Sequence, residues 1–129
     1  MPYYHSKTVN LPFDEAVERV TETLKEEGFG ILSDIDVQAT LKKKLDVDVP
    51  AYRILGACNP PFAYQALQAE DKIGTMLPCN VIVQERGPTE TEISAVDPVA
   101  SMQAVENPDL EPIAGQVREK LMRAVDAVA

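Results

Sequence analysis

The stretch MLPCNVIVQERGPTETEISAV, residues 76–96, decides the fold. Its two halves, Met76 to Glu85 and Thr91 to Val96, carry the valine, isoleucine and threonine that suit a pleated, half-buried surface. Between them stands Arg86-Gly87-Pro88-Thr89-Glu90. That connection is too long for a two-residue turn and of ordinary length for a hairpin loop, so the halves read as an antiparallel strand pair.

Working outward, helices and strands alternate on the N-terminal side. Residues 3–9 read as a first strand, with Tyr4, Ser6 and Thr8 alternating against Tyr3, His5, Lys7 and Val9. A helix opens at about Pro12, whose missing amide hydrogen is harmless in a first turn. Phe13, Ala16, Val17, Val20 and Leu24 form its apolar stripe, Asp14 and Glu15 suit its positive end, and Gly28 supplies a stop. Phe29 to Ile35 reads as a second strand. Asp36 then caps a short helix with Val37, Leu41 and Leu45 on one face, which makes Lys42 to Lys44 a complement to the helix dipole.

After the break at Val49-Pro50, Tyr52 to Ala57 reads as a third strand. Asn59 is expected to cap a third helix opened by Pro60-Pro61, with Phe62, Ala63, Ala66 and Leu67 facing inward. Beyond the hairpin, Val96-Asp97-Pro98 ends the sheet, and Val99 to Val105 reads as a short helical piece. A last helix is capped by Asn107, opened by Pro108, and runs to the end with Leu110, Ile113, Ala114, Val117, Leu121, Val125 and Val128 on one face. This order predicts a single α+β domain over residues 1–129, with a mainly antiparallel sheet and its helices packed on one face.

The chain has 129 residues, 45% of them apolar and 26% charged, as in an ordinary globular domain. Its net charge of −9 comes from 21 acidic residues against 12 basic ones. Such a surface repels phosphate backbones and anionic lipid, so neither nucleic acid nor membrane is expected as a partner. No stretch approaches the apolar length of a membrane span, and no leader pattern opens the chain. Two cysteines in that setting point to reduced thiols in the cytoplasm.

Those cysteines stand in matching surroundings. Gly56-Ala57-Cys58-Asn59 ends one strand, and Leu77-Pro78-Cys79-Asn80 opens another. Cys58 precedes a helix start, whose unpaired amide hydrogens lower a thiol pKa, and Cys79 follows a proline near a strand end. If the two strands are neighbours, both thiols lie at one end of the sheet. Three readings stay open: two buried small hydrophobes, a reactive or redox pair, and a pair of metal or cofactor ligands. Their separation in the chain matches no short redox or zinc spacing, and no metal site is predicted.

His5, the only histidine, reads as an edge or surface residue. Asp34 and Asp36 could face a cation, although capping explains Asp36 without one. Asp97 could accept from a helix start or point toward the thiols' end of the sheet. Tyr52 and Tyr64 read as core residues that could instead flank a pocket. No phosphate-binding glycine loop, nucleophile elbow or zinc-protease motif occurs.

Several of these pieces taken together resemble one family. Leu11-Pro12-Phe13-Asp14-Glu15-Ala16, Asp34-Ile35-Asp36-Val37, Lys44-Leu45, Tyr52 to Pro60, Leu77 to Val81 and Asp97-Pro98 are similar to the bacterial and archaeal domain of unknown function 302 family, over nearly the whole chain. The resemblance implies a curved antiparallel sheet with helices on one face, a β-α-β4-α arrangement like that of TATA-binding-protein-like domains. It also implies a homodimer. It implies no established activity and leaves any cofactor unknown.

The functional expectation is a domain that binds or senses a small molecule near Cys58, Asn59, Cys79, Asn80, Asp36 and Asp97. A thiol redox protein or enzyme using Cys58 and Cys79, and a structural or interaction module with both cysteines buried, are the alternatives.

Overall fold

A computed structural model describes residues 2–129. The elements run β1 (Tyr4–Val9), α1 (Phe13–Glu26), β2 (Gly30–Asp36), α2 (Val37–Leu45), β3 (Tyr52–Cys58), α3 (Pro60–Ala69), β4 (Cys79–Gly87), β5 (Glu90–Val96), α4 (Pro98–Ser101) and α5 (Glu111–Asp126). Tight 3₁₀ turns at Ile73–Met76 and Pro108–Leu110 precede β4 and α5. The five strands form one open sheet in the order β1-β5-β4-β3-β2, with every neighbouring pair antiparallel. β2 to β5 are therefore a meander, β1 returns to its β5 edge, and α2 and α3 fill two of the connections. That is the expected α+β, β-α-β4-α plan.

Strand alternation builds the two faces. Leu55 and Ala57 on β3, Val81 and Val83 on β4, and Ile93 and Ala95 on β5 are buried on one side. They meet Ala16, Val20 and Leu24 of α1 and Val117, Leu121 and Val125 of α5 in a single core. Each fully buried leucine or valine there contributes roughly 1.5–3 kcal/mol relative to exposure. The opposite face stays open as a shallow groove, where Tyr4, Tyr52, Asn80, Gln84 and Ser94 stand.

The two halves of the sheet are unequal. α2 buries none of its residues, and the β2 pattern is exposed at all but Ile31. Leu32, Ile35, Leu45 and Val47 consequently stay in solvent at that edge. The β1 side is secured instead by Lys7, whose Nζ donates to the carbonyls of Asp126 (2.8 Å) and Val128 (2.5 Å), capping the end of α5. His5 joins it, with Nε2 and Asp126 Oδ1 2.7 Å apart.

Four local expectations change. The β4–β5 loop is only Pro88-Thr89, because Gly87 pairs with Glu90 and a bulge at Arg86 absorbs the extra residue. Proline cannot take the positive φ of the usual two-residue hairpin turns, and the bulge restores the strand twist that such turns would supply. Arg86, aimed outward there, donates to Glu92 at 2.8 and 3.0 Å. β4 starts at Cys79 rather than Met76, since Pro78 has no amide hydrogen for the ladder; the Leu77–Pro78 peptide is cis. The last helix starts at Glu111. Pro112 cannot donate to the Pro108 carbonyl, so residues 108–110 tighten into a 3₁₀ turn. The short helix after β5 is confined to Pro98–Ser101.

Candidate functional site

Pairing between β3 and β4 sets Ala57 opposite Cys79, which places Cys58 one residue further along, diagonal to it. Both thiols thus lie at one end of the sheet. Cys79 shares the helix-covered face with Val81 and Val83 and is only 8% exposed. Cys58 ends its strand and is half-buried. Both thiols are free.

They line a cavity of about 330 Å³. Ala57 and Cys58 form its β3 wall, Phe62 and Ala66 its α3 wall, and Ile113 and Val117 its α5 wall, with Leu77 and Met102 closing the remainder. Among the described residues, the polar side chains facing it are the two thiols and Asn59. Leu32, 70% exposed at the β2 bulge, stands at its open side.

Asn59 explains how the wall is held. It occupies the N-terminal cap position of α3, but its side chain makes no capping hydrogen bond there. Instead Asn59 Nδ2 donates to the Glu27 carbonyl at 3.2 Å, which satisfies an orphan carbonyl at the end of α1. The expected helix-start cap is therefore a clamp between two elements. Gly28 makes it possible. At φ +90° it closes α1, with Gly28 N donating to Lys25 O (3.0 Å) and Phe29 N to Leu24 O (2.9 Å). A side-chain carbon at Gly28 would stand 3.0 Å from Asn59 Nδ2. Asn107 repeats the device below α3, donating to the Ala69 carbonyl at 2.8 Å while accepting from Asp109 N at 3.0 Å.

Electrostatics separate Cys79 from ordinary thiols. Burial, and secondly the neighbouring Cys58, push its pKa up to about 11. It stays protonated at neutral pH, and the thiolate is the form that attacks or ligates. A redox or nucleophilic role for the pair would have to start from Cys58. Among the described residues no three His, Cys, Asp or Glu side chains gather as a metal site.

The other expected site residues disperse. Asn80 follows Cys79 in the strand, so alternation turns it to the open face, away from the cavity. Asp36 accepts from Ala39 N at 2.9 Å, capping α2. It pairs in register with Arg53, at the far end of β3 from Cys58 and about 17 Å along the strand. Asp97 does lie at the thiols' end, 3% exposed. Its carboxylate is occupied by Val99 N (3.0 Å), Ala100 N (3.4 Å) and Arg118 Nε (3.0 Å). Asp34 faces Arg53, whose guanidinium hydrogen bond holds its carboxyl below the usual range. Tyr64 is 65% exposed rather than core, and Tyr52 borders the open groove.

Sequence reasoning missed Phe29, Met102 and Ile113 as cavity walls. Ile113 was legible as an inward helix position, and nothing in the sequence says that its face borders a void rather than packed side chains.

The chain matches the family model of the domain of unknown function DUF302 over residues 5–128. Its structure is similar to the crystal structure of an uncharacterized conserved protein, DUF302, from Bacillus stearothermophilus, with a TM-score of 0.92 and 29% identity over 100% of both chains. No curated protein matches.

Proposed function

The chain belongs to the domain of unknown function DUF302 family, and on that premise we propose that it binds or senses a small apolar molecule in the cavity beside Cys58 and Cys79. One observation carries this reading: a half-open space of about 330 Å³ whose lining is apolar apart from two thiols and a committed amide. Pockets for small molecules have this composition and begin at about this size. The raised pKa of Cys79 favours binding over thiol chemistry.

A native mass spectrum of the protein purified from its own cells tests it, together with displacement of a fluorescent apolar dye. A bound mass lost in Ala63→Leu, which fills the cavity from α3, is expected. A bare chain mass with no dye binding would leave the two cysteines as packing and the chain as an interaction module.

Two further readings accompany this one. The free thiols suit a reducing compartment such as the cytoplasm, and no described helix is long and apolar enough to cross a membrane. The exposed Leu32, Ile35, Leu45 and Val47 at the β2 edge offer apolar contacts for a homodimer. Sedimentation of the wild type against Leu45→Glu would detect it, and an unchanged monomer in both would refute it.

A further inference from the structure

The cavity at the thiols has a neighbour. A second hollow, of about 660 Å³, lies between α4 and the start of α5. The two share Met102 and Ala114 as a common wall. Alanine makes a thin partition, and methionine, unbranched with three rotatable bonds, moves aside easily.

Their linings differ in kind. The first is apolar and ends on Cys79, which is 8% exposed and makes no hydrogen bond through its thiol among the described residues. The second adds Glu106 and Glu111. Asn107 also borders it, but its amide is committed to Ala69, Glu70 and Asp109. Among the described residues neither glutamate has an ion-pair partner and no Lys, Arg or His lines either hollow. The net charge of −9 adds to the same sign.

We propose that the two hollows form one site for an amphipathic cation, its apolar body beside Cys79 and its ammonium-type head beside Glu106 and Glu111. This rests on the reading of the first cavity as a binding site and adds the class of ligand. The apolar part, at about 330 Å³, exceeds the roughly 150 Å³ that accommodates a benzene, so it takes a short alkyl chain or a ring with substituents. A carboxylate head would meet two carboxylates and no cation. A neutral head would lose the Coulomb attraction without meeting repulsion.

Calorimetry with n-octylammonium, n-octanol and n-octanoate tests both layers. Octylammonium is expected to bind about tenfold more tightly than octanoate, with octanol between them, and salt should narrow the gap. In Glu106→Gln/Glu111→Gln the ranking should collapse while octanol affinity is unchanged; both side chains are exposed, so the fold is retained. Octanol binding with no preference for the cation, or a preference that survives the double substitution, overturns the proposal and leaves the cavity reading standing. Failure of all three probes to bind overturns both.

Discussion

Cys58-Asn59 and Cys79-Asn80 are the same dipeptide with opposite outcomes. In the first, the asparagine is buried and clamps α1 while the thiol is half-exposed. In the second, the thiol is buried and the asparagine faces solvent on the open side of the sheet. Position within the strand decides it. Cys79 and Asn80 are consecutive inside β4, so the pleat must send them to opposite faces. Cys58 is the last residue of β3, and Asn59 already belongs to the turn into α3, where alternation no longer applies. Chemical identity in sequence therefore says little about shared function, and register says a great deal.

The largest contrast should appear in alkylation. With its pKa pushed up to about 11, Cys79 should react at pH 8 about a hundredfold more slowly than an open thiol of ordinary pKa. Intact mass should show one label, on Cys58. Two labels added at similar rates would erase the distinction between the segments.

Stability against pH sharpens the same point. The folded chain holds the Cys79 proton more tightly than the unfolded chain does, so the unfolded state gains by ionising first. Stability should fall as pH rises from about 9 to about 11, by about 3 kcal/mol relative to Cys79→Ala, with no contribution from this group below that window. Urea midpoints of the two proteins across that range measure it, and parallel curves would contradict it.

The asparagines supply the smaller effects. Asn59→Ala leaves the Glu27 carbonyl without its partner and should cost about 1–2 kcal/mol in urea unfolding. Asn80→Ala, on the open face, should stay within about 0.5 kcal/mol of wild type. Equal losses at the two positions would mean that the clamp does not matter.

Much of the architecture was legible because it rests on periodicity. The α1 stripe of Ala16, Val20 and Leu24 and the alternating β4 face of Val81 and Val83 repeat at the helix and strand intervals. Asp36 and Asp97 cap helices, as local chemistry suggested. What stayed hidden depends on contacts distant in sequence. Asn59 satisfies a carbonyl 32 residues away, and a local motif cannot distinguish that from a helix-start cap. The hairpin loop shortened because the bulge at Arg86 is a property of the pair, not of one strand. Gly56 is another such case. A side-chain carbon there would lie 2.7 Å from Pro78 Cγ, on a segment that is not its own strand. Of the expected site, Cys58, Asn59 and Cys79 meet at one cavity, whereas Asn80 adjoins them only in sequence and Asp36, a possible cation-facing carboxylate in the sequence, caps a distant helix.

Amide chemical-shift mapping with n-octanol addresses the cavity most directly, because it reads both faces of the sheet at once. Perturbations centred on Ala57, Cys58, Phe62, Cys79 and Val117, with Tyr52, Gln84 and Ser94 unmoved, are expected if the space beside the thiols is the binding site. Perturbations centred on Tyr52, Gln84 and Ser94, with the cavity residues silent, would move the site to the open groove and contradict it.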